Sequence, residues 1–475
     1  HPVAHSFPTR RSSDLIGRLN YNFDNRYLIT TSFRADGSSR FAERWGYFPS
    51  AALAWRISNE RFMEGFNWLS DLKLRTSYGF TGNNGIGNYD YLSLLGAASY
   101  VLGTGGEHIV PGVQVASVDN RLLSWEKTRQ FDIGLEFGLL KNRIYFQADY
   151  YNKLTNDLLL NLPVPSISGF TNINTNLGEI ENKGWEFAIS SHNLVNKFKW
   201  STDFNISINR QKVLKLGPEG DPLRSGSSFI GNTHITEIGR PMGQFVGLKI
   251  IGLFETQEQL ENLPTVNQGR NISRLGDYIY QDTNNDGEIT IDDRVIIGSP
   301  QPDFIFGLTN RFSYRNFGLS VFIRGAYGNE VINQNIPSSV KYKTNSNQPI
   351  QLRNRWQSPE EPGDGKTNRV VLKWRGNIGL DTDFVEDGSF LNIQNVTFDY
   401  NLPNSFLQKI RVEKLKVYTS IQNLFMITKY TGFNPEAQLS PGSTPNDGYA
   451  NLSPGVDWGS YPLARTITFG VNLTF

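Results

Sequence analysis

Thr466-Ile467-Thr468-Phe469-Gly470-Val471-Asn472-Leu473-Thr474-Phe475 (TITFGVNLTF) closes the chain. The odd positions are apolar and the even positions small or polar. Side chains of a β-strand alternate between its two faces, so the segment has one greasy wall and one wet wall. About ten residues in this pattern is the length of a tilted strand that crosses a bilayer. A strand of a soluble sandwich alternates in the same way, so the rest of the chain has to decide between the two.

The composition favours strands and turns. The 475 residues include 31 Phe, 20 Tyr and 45 Gly, only 19% are charged, and no heptad or long helical period is visible. No 18-residue apolar run is present, which excludes spanning helices but not a spanning barrel with a polar lumen. There is no cysteine, so neither disulfides nor thiolate metal sites are available. Basic residues number 46 against 45 acidic, a balance that argues against a nucleic-acid partner. His5 to Leu15 (HSFPTRRSSDL) matches the conceptual translation of a common sequencing adapter. Residues 1–15 are therefore expected to be an artefact, with authentic sequence beginning near Ile16 inside a strand.

Strands are expected near 16–23, 27–36, 48–57, 72–80, 128–139, 143–158, 183–192, 198–210, 304–314, 317–327, 390–400, 412–425 and 463–475. Phe131, Ile133, Leu135, Phe137 and Leu139 alternate with Asp132, Gly134, Glu136 and Gly138; Ile144, Phe146, Ala148 and Tyr150 repeat the pattern beyond a hairpin-sized link. The connections sort by length. Those near 24–26, 140–142, 193–197 and 315–316 are short, 58–71 and 401–411 are intermediate, and the intervening ones, up to 211–303, are long. Short turns on one side and long loops on the other are the habit of outer-membrane barrels. The expected fold is all-β, a transmembrane antiparallel β-barrel that is incomplete in this chain, since bacterial barrels close on even strand numbers. The loop at 211–303 is long enough for a small subdomain.

Candidate sites lie in the loops. Gln281 to Asp293 reads QDTNNDGEITIDD, with Asp282, Asn284, Asp286 and Gly287 spaced as in a calcium loop. Glu288, Thr290 and Asp293 complete the expected oxygen set, since calcium takes six to eight hard oxygens. Asp replaces the usual bidentate Glu at the last position, and a plain Asn/Asp/Gly turn reads equally well. No catalytic motif is present, and His108, His192 and His234 are far apart, so no enzyme is expected. Tyr150, Tyr151, Trp185, Trp200 and Tyr400 fall near strand ends, where aromatic girdles form. Trp45, Tyr47, Trp125, Trp356, Trp374, Trp458 and Tyr461 fall in outer loops or at their edges, where they either face a ligand or pack the loop.

From Ile16 onward the chain resembles the carboxyl-terminal barrel of the SusC/RagA family of TonB-linked outer-membrane proteins of Bacteroidota. The resemblance rests on SYGFTGNNGIGNYDYLS (from Ser77), WEKTRQFDIGLEFGLLKNRIYFQADYYNKLTNDLL (from Trp125) and NLGEIENKGWEFAI (from Asn176). It continues with GRPMGQFVGLKIIGLF (from Gly239), GDYIYQDTNNDGEITIDD (from Gly276), FLNIQNVTFDYNLP (from Phe390) and LKVYTSIQNLFMITKYTGFNPE (from Leu415). The aromatic terminus, Phe475, resembles the sorting signal of such barrels. The resemblance implies a barrel of about 22 strands around a plug. A SusD-like surface lipoprotein covers its outer loops, and TonB–ExbB–ExbD powers import of oligosaccharides or peptides. By that comparison the plug, the TonB box and the first strands are absent from this chain, and the fragment alone is expected to be inactive. A passive porin or adhesin barrel and a soluble carbohydrate-binding β protein are the alternatives.

Overall fold

The computed structural model describes residues 12–102, 108–164, 166–170, 172–217, 219–227, 231–268, 271–335, 350–370, 379–408, 412–436 and 452–475. Its backbone is one antiparallel sheet of thirteen strands, each hydrogen-bonded to its neighbours in chain order. They are β1 (Ser12–Phe23), β2 (Tyr27–Ser38), β3 (Trp45–Arg56), β4 (Leu69–Asn83), β5 (Glu126–Leu139) and β6 (Ile144–Asn156). There follow β7 (Glu179–Val195), β8 (Phe198–Lys215), β9 (Phe304–Tyr314), β10 (Phe317–Tyr327), β11 (Phe390–Asn401), β12 (Lys414–Thr428) and β13 (Thr466–Thr474). Among the described residues, no helix is long and apolar enough to cross a membrane. The strands make the crossing.

Register shows what the alternation does. Ile467, Phe469, Val471 and Leu473 of β13 lie opposite Ile421, Thr419, Val417 and Leu415 of β12. The same face continues across the sheet through Phe398, Leu319, Phe312, Trp200, Ile189 and Phe146 to Phe137 and Leu72. These side chains are not covered by protein: Phe469 is 81% exposed. Each large apolar group held in water would forfeit about 1.5–3 kcal/mol of burial, so a continuous face of them belongs in hydrocarbon. A soluble sandwich would bury such a face against a second sheet; here no second sheet covers it among the described residues.

All thirteen expected strands form, but several run further than expected. β7 begins at Glu179 and β8 continues to Lys215. The added residues include Glu179, Glu181, Gln211, Lys212 and Lys215. Above the bilayer both faces of a strand meet water, so backbone pairing persists after the apolar alternation has ended. The ladder of β1 also runs through residues 12–15, which carry the adapter-like spelling, pairing Asp14 with Asp36 and Leu15 with Ala35.

Links 24–26, 57–68, 140–143, 196–197, 315–316 and 402–413 emerge at one end of the sheet; links 39–44, 84–125, 157–178, 216–303, 328–389 and 429–465 emerge at the other. Three of the long links, 216–303, 328–389 and 429–465, pack together. Link 216–303 contributes to a four-stranded sheet made of Leu223–Ser227, Gly231–Thr236, Gln244–Gly247 and Val295–Gly298. Phe245 from that link meets Ile332, Leu380 and Phe384 of the second and Val456 of the third in one apolar core. Ile332 pairs with Val456 in parallel.

His234 pins two of these loops together. Its Nε2–H donates to the Pro454 carbonyl at 2.8 Å, and its Nδ1 accepts from the Thr233 hydroxyl at 2.9 Å. Both ring nitrogens are satisfied in the neutral form. Burial pushes the imidazole down from its ordinary 6.5 to about 4, although the Pro454 hydrogen bond pulls the other way. A folded-state value below the unfolded one means that stability is whole above 6.5 and declines as pH falls towards 4. Amides of 231–236 and 452–457 are therefore expected to exchange hydrogen faster at pH 4.5 than at pH 7.5 after correction for intrinsic rates, while β9–β12 amides do not change. Equal protection of the loop amides at both values would refute this.

Candidate functional site

The sheet face opposite the lipid carries the polar half of each dyad. Lys73 and Arg75 of β4 face Glu136 of β5, at 3.3 and 2.8 Å. Arg75 also donates to Asp149 of β6 at 2.7 Å, and the Tyr145 hydroxyl donates to Glu136 at 2.8 Å. Gly134 makes this convergence possible, because a Cβ there would lie 2.1 Å from Asp149 Oδ1 and press on the Arg75 guanidinium. Further round the wall, Asp203 of β8 pairs with Arg311 of β9 and accepts from the Ser190 hydroxyl at 2.7 Å. Arg324 of β10 holds Glu436 of the 429–465 link through both guanidinium nitrogens. The wall is thus a charge-balanced polar surface with the loop assembly at its long-loop end.

The acidic loop folds on its own hydrogen bonds. Asp282 accepts from the Asn285 and Gly287 N–H groups at 2.7 and 2.9 Å. Asn284 accepts from Asp286 N–H at 3.0 Å, and Asp286 accepts from Glu288 N–H at 2.8 Å. Gly287 supplies the positive φ of 85° that the reversal requires. Thr290 caps the short turn at Ile291–Asp293 by accepting from Asp292 N–H. Asp293, fully buried, accepts from Thr283 and Thr290 N–H groups at 2.8 Å each. The Glu288 side chain stays exposed. Among the described residues, no group of three or more His, Asp or Glu side chains is gathered as a metal ion would require. Asp282, Asn284 and Asp286 are brought together; Thr290 and Asp293 serve the turn beside them.

The outer aromatics divide. Trp125 is 5% exposed, packed on Phe41, Phe48 and Leu123, with its indole N–H on the Arg44 carbonyl at 3.2 Å. Trp356 is 7% exposed and packs on Leu253, Tyr278 and the face of Gly276. Both rings are buried within apolar clusters and so stiffen the loops rather than face a ligand. Trp45 and Tyr47 are on β3, on the face that carries Leu53, and Tyr47 stacks on Phe33 at 6.1 Å. They belong to the outer rim of the lipid face, not to a loop. Trp458 is half-buried beside Asp457, Tyr461 is exposed, and Trp374 lies outside the described residues. Phe475 is exposed just past β13. Of the girdle residues, Trp185 meets Tyr150 at 5.0 Å on the lipid face, whereas Tyr151 turns to the lumen and donates to Asn209 at 2.9 Å.

Residues such as Arg75, Glu136, Asp149, Arg324 and Glu436 escape a reading of the sequence. Their signal was only the polar phase of the dyads, and register between strands far apart in sequence selects the partners. Tyr430 is another: its hydroxyl donates to Asp457 at 2.6 Å inside the loop assembly, and burial followed by that carboxylate drives its pKa well above the ordinary phenol value. Trp125→Ala is expected to cost about 3–5 kcal/mol locally and to open links 39–44 and 84–125 to protease, with or without cargo present. Unchanged protease resistance would show that Trp125 is not the packing element.

A sequence model of the family described as "TonB dependent receptor-like, beta-barrel" matches residues 3–286. TonB-dependent receptor P3 of Formosa agariphila is 36% identical over 97% of this chain and 45% of its own length. TonB-dependent receptor SusC of Bacteroides thetaiotaomicron is 32% identical over 97% of this chain and 43% of its own length. A solved structure of the RagAB peptide transporter superposes with a TM-score of 0.81 and 27% identity, covering 98% of this chain and 47% of the other. The chain thus spans less than half the length of these relatives. It belongs to the SusC/RagA-type TonB-dependent receptors and forms part of the β-barrel of an integral outer-membrane protein.

Proposed function

We propose that the receptor containing this barrel is an energised importer of oligosaccharides or peptides. The observation that carries this is the pairing of a polar, charge-balanced inner wall with a folded assembly of the long loops at one end. A porin that only sieves has little use for three long loops sharing a core, whereas a cargo mouth covered by a partner does. A SusD-like surface lipoprotein is the lid that suits this loop face, and TonB–ExbB–ExbD supplies force through residues outside those described. The barrel does not act as an enzyme in this reading.

Removing the receptor gene, or TonB, from the parent organism is expected to lower uptake of the cargo at least tenfold. Uptake that survives loss of TonB but not loss of the receptor would favour the passive porin reading. Capture of a lipoprotein by the tagged full-length receptor checks the lid.

Calcium at the loop read from Asp282, Asn284, Asp286, Glu288, Thr290 and Asp293 is part of this proposal as a structural staple, supported by the spacing of the oxygens, with Asp282, Asn284 and Asp286 the side chains that would hold the ion. Loops of this kind outside cells hold calcium at about 0.1–1 mM. Millimolar calcium is then expected to slow proteolysis within 276–298, and Asp286→Ala to abolish the protection. Identical cleavage with calcium and with chelator would discard the staple.

A further inference from the structure

The short-turn rim is not charge-balanced as the lumen wall is. Links 140–143, 196–197 and 315–316 carry Lys141, Arg143, Lys197 and Arg315 and no Asp or Glu, in a chain whose formal charge is only +1. All four side chains are exposed. The ladders set them in a row: Ile144 of β6 lies opposite Ser191 of β7, and Phe198 of β8 opposite Tyr314 of β9, so the three turns are neighbours along the rim. Consecutive turns are two strands apart, roughly 10 Å. Arg143 Nη2 donates to the His192 and Asn193 carbonyls at 3.1 and 2.9 Å, which ties the first turn to the end of β7 beside the second. The Arg315 guanidinium lies 5.4 Å from the Tyr314 ring centre. A row of like charges repels itself and is stabilised by a facing anion.

Beneath this row the lipid face holds a polar chain. Passing inward from the turns come Phe198 and Tyr314, then Trp200 and Phe312, then Thr202 and Asn310. Polar side chains on a lipid-facing wall are costly and therefore informative. The Ser191 hydroxyl donates to Asn193 Oδ1 at 3.0 Å, and Asn193 Nδ2 donates to the Thr202 hydroxyl at 2.8 Å. Thr202 in turn donates to Asn310 Oδ1 at 2.7 Å, and the Trp200 indole N–H donates to the same oxygen at 2.9 Å. The chain ends on Asn310 Nδ2, which meets no acceptor among the described residues. Val321, opposite Asn310 on β10, offers none. At the border of hydrocarbon, the acceptors a membrane supplies are the ester and phosphate oxygens of its lipids.

We propose that this rim is a binding site for an anionic phospholipid of the periplasmic leaflet. Lys197 and Arg315 hold the headgroup phosphate, Asn310 Nδ2 donates to an ester carbonyl oxygen, and the acyl chains lie on Phe312 and Leu319. Lys141 and Arg143 extend the positive field along the rim. A zwitterionic lipid carries its own cation and gains less from clustered positive charge. A second copy of the barrel, meeting this one through the same face, would set the two cationic rows against each other. The site serves the barrel whether or not it imports.

The test uses the full-length receptor in phosphatidylcholine vesicles. These are doped, at one mole fraction, with acyl-brominated phosphatidylglycerol or acyl-brominated phosphatidylcholine. Bromine quenches a neighbouring indole, and the Trp200 contribution is the difference between wild type and Trp200→Phe. Trp185, on the lipid face of β7 but remote from the turns, is isolated in the same way as a control. Each Lys or Arg beside an anionic lipid is worth roughly fivefold in affinity. Quenching of Trp200 by brominated phosphatidylglycerol at least threefold above that by brominated phosphatidylcholine is the result expected, with no such preference at Trp185. Lys197→Gln combined with Arg315→Gln should remove the preference. Should that variant fail to show heat-modifiable migration on a cold gel, Asn310→Leu, which places an apolar group against lipid, should reduce it. Equal quenching of Trp200 by the two lipids would overturn the site, and so would a preference that survives in a folded variant. Quenching by neither lipid would overturn it as well, because another protein surface then covers the patch.

Discussion

Hydrocarbon offers a backbone no hydrogen-bond partners, and the rest of this structure depends on that fact. Each N–H and C=O at membrane depth has to be paired within the protein, which only a helix or a continuous sheet achieves. Among the described residues no helix is long and apolar enough to cross, and thirteen strands carry one another's backbone in an unbroken chain-order ladder. Strand order here involves no crossovers because each hairpin delivers the next strand directly to the open edge.

The two-residue period of that ladder sorts side chains between incompatible solvents. One face carries Phe131, Ile133 and Leu135 towards lipid; the other carries Asp132, Gly134 and Glu136 towards the lumen. Exposed ion pairs in general stabilise little, and the wall network of Lys73, Arg75, Glu136 and Asp149 is better understood as a means of keeping charge on the lumen face balanced and its donors aimed. Position matters more than strength here. A glycine at 134 is required by the same crowding that holds Arg75 against Asp149.

Outside the bilayer the constraint is lifted, and the chain behaves as a soluble protein does. Strands β7 and β8 continue with Glu181 and Lys212 on the face that meets lipid lower down, and links far apart in sequence build an apolar core around Phe245 and Ile332. Aromatic residues in these loops follow interior rules. Trp125 and Trp356 are buried in apolar clusters built with residues of other elements, such as Phe48 and Tyr278. His234, hydrogen-bonded from link 216–303 to Pro454, and Tyr430, which ties two parts of link 429–465 together through Asp457, hold the pieces in place.

Strand number, the lipid face and the sorting of short and long links were all legible in the residue order, because each depends on a period of two or on the spacing of turns. The membrane itself writes that period into the sequence. Partners across the sheet were not legible: Arg75 meets Asp149 only because β4, β5 and β6 fall in one register, which no pattern within a single strand announces. Nor was the fate of Trp125, Trp356 or Asp293, since burial in a loop is set by what arrives from other loops. Local alternation is a property of a segment and can be read from it; convergence of distant segments on Arg324 or His234 is a property of the folded chain alone.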